Sequence, residues 1–252
     1  MDKLLTNRYE IVTPLGSGGF GETFLARDTQ LPSQSLVVVK RLKPINSDNH
    51  TSYELIEKLF EKETKVLEDL GRGSSQIPSL LSYFVDHGQF YLVQEYIEGK
   101  NLAQVGIISS EQAIIILTSL LNTLKYIHNK NIIHRDIKPE NIILRNSDHL
   151  PVLIDFGAVK ETMGAATLGS GSIVSSVVVG TRGFMAPEQS SGRAVFSTDL
   201  YALGLTMIYA ITGKLPIEMS IHPVTGELEW ESYPCCVTLG RGKIEFRVSQ
   251  EG

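Results

Sequence analysis

Residues 134–141 read HRDIKPEN, with Ile132 and Ile133 before them and Ile142, Ile143 and Leu144 after. The shoulders are short apolar runs that read as buried strands, and the octet between them is almost wholly charged or polar. A base, two cations, two acids and an amide are therefore held on a short loop pinned at both ends. Loops fixed to a rigid scaffold are where binding and catalytic groups concentrate.

Working outward, Glu111–Asn129 has the pattern of a long amphipathic helix, with Ile114, Ile115, Leu117, Leu121, Leu124 and Ile127 as its expected core face. Downstream, Val152–Gly157 (VLIDFG) reads as an apolar strand ending in an acid, an aromatic and a glycine. Asp199 opens DLYALGLTMIYAITG, apolar nearly all round, which fits a helix buried at the centre of its lobe and ended by Gly213.

The front third carries three more signals. A strand from Tyr9 to Leu15 runs into GSGGFG, with glycines at 16, 18 and 21. Taken alone, that spacing fits either a tight hairpin turn or a phosphate loop. A dinucleotide fold needs a helix after the third glycine. Glu22–Arg27 instead keeps an alternating character with a β-branched Thr23, which favours a second antiparallel strand. The glycines then cap a hairpin whose backbone N–H groups can lie over phosphates. The strand Leu36–Lys40 ends in a lysine that either snorkels to water or meets an acid. Between Tyr53 and Leu70, Ile56, Leu59, Phe60, Leu67 and Leu70 recur at helical spacing, and Glu63 falls on the same stripe. An inward acid needs a cation, for which Lys40 is the nearest candidate; at the stripe's edge Glu63 reaches water instead.

Composition narrows the partners. The chain has 252 residues, 42% hydrophobic and 20% charged, enough for one large domain or two lobes with a true core. A net charge of −5 argues against nucleic acid or an anionic membrane surface as the main partner. The opening MDKLLTNRYEIV lacks the apolar core of a signal peptide, and the longest apolar stretch, Ala113–Leu121, is too short to span a bilayer. The expectation is a soluble, cytoplasmic protein with no membrane segment. The only cysteines, Cys235 and Cys236, are adjacent, so a bridge between them is strained, and no second Cys/His cluster completes a zinc site.

In order along the chain stand GSGGFG, VVVK, the inward Glu63, HRDIKPEN, DFG and GTRGFMAPE. Over roughly residues 9–233 this set resembles the catalytic domain of eukaryotic-like protein kinases, and its loops look closest to the bacterial Ser/Thr members. The resemblance implies an α+β, bilobal fold: a small antiparallel sheet with one main helix, then a larger, mainly α-helical lobe. It divides the chain into residues 1–98 (small lobe and hinge), 99–233 (large lobe with catalytic and activation segments) and 234–252 (an atypical tail).

The resemblance also assigns roles for ATP and Mg2+. Lys40, steadied by Glu63, would hold the α/β-phosphates. Asn141 and Asp155 would ligate Mg2+ through hard oxygen donors. Asp136 would orient the acceptor hydroxyl as base, and Lys138 would neutralise charge on the transferring group. Leu15, Gly16, Ser17, Gly18, Gly19, Phe20, Gly21 and Thr23 would cover the nucleotide. Gln94 would be the gatekeeper, the backbones of Glu95 and Ile97 would meet adenine, and Val38 and Ile143 would close above and below the ring. Lys138 and Thr181 both lean toward serine/threonine rather than tyrosine acceptors. Arg135 precedes the catalytic aspartate, as in kinases switched by loop phosphorylation, with Thr167, Ser170, Ser172, Ser175 and Ser176 as candidate sites. Partners would be proteins bearing Ser/Thr hydroxyls, with self-association for autophosphorylation in trans. Asp199 would support the backbone of the HRD loop.

Several features depart from the family pattern. Val38 stands where alanine is usual, and Thr23 where valine is usual. After Tyr233 the family continues with amphipathic helices, one bearing an arginine that pairs with the glutamate of APE, here Glu188. This chain instead reads PCCVTLGRGKIEFRVSQEG, with Val237–Leu239 and Ile244–Val248 resembling short strands. Arg241 and Arg247 both fall nearer to Glu188 than the family spacing of that partner, so a truncated or altered C-terminus is the expectation. An altered tail would leave apolar surface exposed on the large lobe. The alternative to an active kinase is therefore a catalytically silent kinase-fold scaffold. A small-molecule kinase is disfavoured by the GT…APE segment, which in the family forms a peptide-docking surface.

Overall fold

The computed structural model describes residues 4–18, 21–42, 50–156, 160–161, 181 and 183–233. Its first half is a six-stranded antiparallel sheet built from β1 (Leu4–Leu5), β2 (Tyr9–Gly18), β3 (Gly21–Asp28), β4 (Leu36–Leu42), β5 (Leu80–Asp86) and β6 (Gln89–Glu95), in the order β1-β2-β3-β4-β6-β5. The GSGGFG segment turns a hairpin, as the alternation of Glu22–Arg27 requires: Gly18 pairs with Gly21 and Gly16 with Thr23. Gly21 has φ 154°, and a Cβ there would fall on the carbonyl oxygen of Arg41, so the close approach of β4 demands glycine.

Helix α1 (His50–Gly71) separates β4 from β5 and brings Phe60, Glu63, Val66, Leu67 and Leu70 inward. Phe60, Leu67 and Leu70 are the apolar positions expected; Val66 completes the stripe, whereas the side chains of Ile56 and Leu59 lie outside the description. The stripe joins Phe90 and Leu92 of β6 and continues into the helical half through Leu102, Leu120, Ile127, Leu153 and Phe156, forming one core that spans both halves. A second cluster, with Tyr9, Ala26, Val39 and Val93, fills the outer face of the sheet.

The helical half contains β7 (Gly99–Asn101), α2 (Leu102–Val105), α3 (Ser110–Asn129), β8 (Ile132–Ile133), β9 (Ile142–Arg145), β10 (Pro151–Leu153), β11 (Lys160–Glu161), α4 (Pro187–Ser190) and α5 (Phe196–Thr212). The α+β, bilobal architecture implied by the motifs is the one observed. Strands β7, β9 and β10 form a small sheet, so the polar octet hangs between β8 and β9 as expected. Strand β10 is shorter than Val152–Gly157: it ends at Leu153, because Ile154 and Asp155 turn out of the ladder, Asp155 with φ 64°.

Two burial patterns differ from expectation. On α3 the buried residues are Ile116, Leu120, Thr123, Leu124 and Ile127; Ile114, Ile115 and Leu121 are exposed. Leu124 and Ile127 are buried as expected and Leu117 packs against the core, but packing on β8, β10 and α5 takes Ile116 and Leu120 inward in place of Ile114, Ile115 and Leu121. On α5 burial is one-sided: Ala202, Leu203, Met207 and Ala210 are covered, but Phe196, Leu200 and Tyr201 are open. Gly213 ends α5 in the left-handed conformation, φ 68°, with its N–H on the Tyr209 carbonyl at 2.7 Å. Residues 234–252, with the proposed strands, Arg241 and Arg247, lie outside the described residues. Among those described, no helix is long and apolar enough to cross a membrane.

Candidate active site

The octet is organised by a buried carboxylate that belongs to another element. Asp199, in the first turn of α5 and 0% exposed, accepts the backbone N–H of His134 (2.9 Å) and of Arg135 (2.9 Å), and the Nε2 of His128 (2.8 Å). An aspartate in a helix's first turn is favoured by the helix dipole, which offsets part of its burial. The two N–H bonds hold Arg135 at φ 71°, a conformation that costs a non-glycine residue about 1 kcal/mol or more. Gln189 of α4 fixes the same turn from the other side, donating Nε2 to the Arg135 carbonyl at 2.6 Å. Burial pushes the Arg135 guanidinium down from its ordinary value, and the Asp199 charge opposes that.

His134 is fully buried and stacked edge-on against Phe156. Its Nδ1 accepts the Asp136 N–H at 3.3 Å, so the proton sits on Nε2, which donates to the Ile154 carbonyl at 3.1 Å. A neutral imidazole thus ties the octet to the segment leading to Asp155.

Four side chains converge at the mouth of the loop. Lys138 Nζ lies 2.8 Å from Asp136 Oδ2 and donates to Thr181 Oγ1 at 2.8 Å. Thr181 in turn donates to Asp136 Oδ1 at 3.1 Å. Asn141 commits its Nδ2 to the Asp136 carbonyl (2.8 Å) and carboxylate (3.0 Å). That leaves the Asn141 Oδ1 as the end able to meet a hard cation. Ile154 N–H donates to the Asn141 carbonyl at 2.9 Å, which sets Asp155 beside the loop.

Lys40 answers its own question. Its Nζ lies 2.7 Å from Glu63 Oε1 and 2.8 Å from Asp155 Oδ1, with the lysine side chain 12% and that of Glu63 7% exposed. Burial alone would push the ammonium down, but the charges of Asp155 and then Glu63 override it and hold it well above its ordinary value. One lysine thereby links β4, α1 and the loop after β10. The Asp155 side chain is 44% exposed, so the acid end of this chain opens to solvent.

The described residues expected around a nucleotide lie on neighbouring strands and at the start of the helical half. Thr23 pairs with Lys40 across β3–β4, and Val38 with Gln94 across β4–β6. Glu95 N–H is bonded to the Ser79 carbonyl, Ile97 is buried, and Ile143 pairs with Asn101 and Val152. Leu15 is half exposed, and a Cβ on Gly16 would meet nothing within 4 Å, so the hairpin stands clear of the sheet there. Gly19, Phe20, Thr167, Ser170, Ser172, Ser175 and Ser176 lie outside the described residues.

Sequence reasoning missed His128, Gln189 and Thr198. Thr198 Oγ1 accepts the Val195 N–H and donates to Glu188 Oε1 at 2.8 Å, giving that acid a partner at the start of α5. A threonine three residues into a helix is a capping signal that was legible; nothing local marked Gln189.

The donor set fits Mg2+ better than a caged metal. No cluster of three or more His, Cys, Asp or Glu side chains occurs among the described residues. One carboxylate and one amide oxygen are what a cation sharing its shell with phosphates and water requires.

The family model for the protein kinase domain matches residues 9–237. The chain is 72% identical over 233 residues to serine/threonine-protein kinase D of Synechocystis sp., covering 92% of this chain and 46% of that protein. It is 52% identical over 237 residues to serine/threonine-protein kinase PknA of Nostoc sp., covering 92% and 42%. Similarity extends to serine/threonine-protein kinase PrkC of Bacillus subtilis, 30% identical over 226 residues, covering 86% and 32%. The chain spans less than half the length of these relatives.

Proposed function

The chain belongs to the protein kinase family, and from that premise we propose that it transfers the γ-phosphoryl group of ATP to serine and threonine hydroxyls of proteins. The observation that carries the proposal is the joint hold of Lys138 and Thr181 on the Asp136 carboxylate. A base so held presents a fixed oxygen to an incoming hydroxyl, and a cation stands where charge develops.

The proposed division of labour is the one the family resemblance implies, and the contacts above are consistent with it. Asp136 accepts a hydrogen bond from the acceptor hydroxyl and orients it in line. Lys138 neutralises charge on the group in flight. Lys40, kept cationic by Glu63 and Asp155, binds the inner phosphates. Asn141 and Asp155 would hold Mg2+, which would supply charge neutralisation at the phosphates. Leu15, Thr23, Val38, Ile97 and Ile143 surround adenine, Gln94 guards the depth of the pocket, and the Glu95 and Ile97 backbones meet the ring. Val38 and Thr23 narrow and polarise that pocket relative to the usual alanine and valine.

Residues 1–98 act as the nucleotide lobe and hinge, and 99–233 as the acceptor and catalytic lobe. Phosphorylation at Thr167, Ser170, Ser172, Ser175 or Ser176 would give Arg135 a dianionic partner and order the activation segment, through transient pairing of two copies. The use of ATP makes the cytoplasm the working compartment, and the net charge of −5 speaks for protein rather than nucleic acid as acceptor. Nothing in the arrangement of Asp136, Lys138, Asn141, Lys40, Glu63 and Asp155 favours a silent scaffold.

The test is transfer of labelled phosphate from Mg-ATP to the chain and to a generic Ser/Thr acceptor protein, beside Asp136→Ala. Transfer that disappears in the variant supports the proposal. No transfer from monodisperse, folded protein overturns it in favour of a binding module.

A further inference from the structure

Behind the strand that ends in Glu95 lies a cavity of about 490 Å³ whose walls include Arg72, Ser74, Ser75, Ser79, Glu95 and Arg145. Apart from Glu95, none of its lining residues belongs to the site described above. Arg72 belongs to the loop joining α1 to β5, whereas Arg145 ends β9 in the helical lobe. Two guanidinium groups from different lobes thus face one space.

The three serines are not equivalent. Ser74 Oγ accepts the N–H of Gln76, and Ser79 is part-buried, its N–H on the Glu95 carboxylate at 3.2 Å and its carbonyl on the Glu95 N–H at 2.9 Å. Ser75 is exposed, and its hydroxyl makes no hydrogen bond to the other described residues. Its carbonyl accepts Arg145 Nη1 at 3.0 Å, which fixes the residue beside that guanidinium. Gly73 precedes the pair of serines and leaves the segment short of side-chain bulk.

The cations are suited to a dianion. Arg72 is 78% exposed and, among the described residues, engaged only with Glu68, four residues back, a surface pair worth about 0.5 kcal/mol. Arg145 forms a fork with Asp148, through Nε at 3.0 Å and Nη2 at 2.8 Å. A phosphate with close to two charges competes well for both, since guanidinium and phosphate meet through two parallel hydrogen bonds. Glu95 is the opposing acid on the wall, and Ser79 N–H already draws on its carboxylate.

We propose that Ser75 is a phosphorylation site and that its phosphate occupies this cavity, bridging Arg72 of the small lobe to Arg145 of the large one. The proposal rests on the kinase reading for its chemistry. Ser75 Oγ attacks the γ-phosphorus of ATP held by a second copy, and its proton passes to the Asp136 carboxylate of that copy. The bond from the γ-phosphorus to the bridging oxygen breaks, and ADP leaves with the electron pair. The staple so formed lies across the back of the hinge, whose front edge meets adenine, so it restrains lobe opening and tightens nucleotide binding.

Two measurements test it. The chain is incubated with Mg-ATP beside Asp136→Ala, and phosphopeptides are mapped by mass spectrometry. Phosphate on Ser75 in the first sample alone supports the site. Phosphate elsewhere but never on Ser75, or transfer to a generic acceptor protein with none on the chain, overturns the site and leaves the kinase reading standing; no transfer to either overturns both. Independently of activity, phosphoserine is installed at position 75 by genetic encoding and its phosphorus resonance is titrated. The second ionisation is expected about one unit below its free value near 6, moving back in Arg72→Gln, with nucleotide affinity raised roughly fivefold over the unmodified chain. A resonance that titrates as free phosphoserine in both proteins overturns the cavity as its home.

Discussion

Asp199 Oδ1 accepts the backbone N–H of Arg135 at 2.9 Å, a bond that joins α5 to the catalytic loop across 64 residues of sequence. Its other oxygen takes the N–H of His134 and the imidazole of His128, so the carboxylate is fully used although it has no exposed surface. Asp199→Ala would leave two buried N–H groups without acceptors. The expected loss is about 3 kcal/mol of stability, seen as a lower midpoint in urea at unchanged slope. Residual folded protein should also transfer phosphate slowly, because Arg135 loses the support for its left-handed backbone. Asp199→Asn can satisfy only part of this set, since its amide nitrogen cannot accept, and should fall between.

Lys40 and Glu63 behave as one unit with Asp155. Lys40→Met is expected to lower kcat/KM about 100-fold or more, and Glu63→Gln somewhat less. Because each substitution disrupts the same arrangement, the double variant should be far less impaired than the product of the two single losses. The ammonium is held above its ordinary value, so its contribution is complete below pH 10.5 and lost only at more alkaline pH. Between pH 6 and 9 the cost of Lys40→Met should therefore be constant. A cost that changed with pH across that window would mean that another titrating group governs it.

Thr181 touches both Asp136 and Lys138 through one hydroxyl. Hydrogen bonds to charged groups contribute about 1.5–3 kcal/mol, which in a transition state is roughly 10- to 100-fold in rate. Thr181→Ala should lower kcat by that factor with the KM for ATP little changed. Thr181→Ser should restore most of the rate. Equal loss in both variants would show that the methyl group's packing, not the hydroxyl, matters.

How far the chain could be read in advance depended on whether a signal was local. The hairpin at Gly18–Gly21 and the inward Glu63 were legible because alternation and helical spacing are properties of a few adjacent residues. The pairing of Lys40 with Glu63 followed from the cost of a buried acid. Only the first turns of the α3 face differed, Leu124 and Ile127 being buried as read: Ile114, Ile115 and Ile116 are chemically alike, and only the packing of β8, β10 and α5 chooses among them. Gln189 and His128 were invisible for a related reason: each acts on a backbone or carboxylate more than 50 residues away. The roles that needed several elements at once came from the family resemblance, not from periodicity.

Arg8 clamps Asp28 through Nε at 3.0 Å and Nη2 at 2.7 Å, tying the turn before β2 to the end of β3. The Arg8 hydrogen bonds hold the Asp28 carboxyl below its ordinary 3.8, against burial and with help from the Gln30 N–H. A depressed carboxyl contributes stability that is present above its unfolded value and lost as pH falls through the folded one. Acid unfolding should accordingly steepen below about pH 4, and Asp28→Asn should flatten that limb. Arg8→Ala is expected to cost about 2 kcal/mol near neutral pH, a figure discounted because the arginine side chain is 35% exposed.

The open faces of α3 and α5 carry the last prediction. Ile114, Ile115 and Leu121 on one helix, and Phe196, Leu200 and Tyr201 on the other, are 37–58% exposed. The two helices pack antiparallel, since His128 near the end of α3 stacks on Phe196 at the start of α5 and Ile108 before α3 bonds to Ala210. Apolar area of this extent held in water favours association, at about 25 cal/mol per Å² removed. The chain should therefore associate with rising concentration in light scattering, and Ile115→Lys with Leu200→Lys should shift it toward monomer. Neither residue belongs to the catalytic loop, so phosphate transfer per folded chain should be retained. Association unchanged in the double variant would move the sticky surface elsewhere, with Ile217, Ile221 and Val224 after α5 the next to replace.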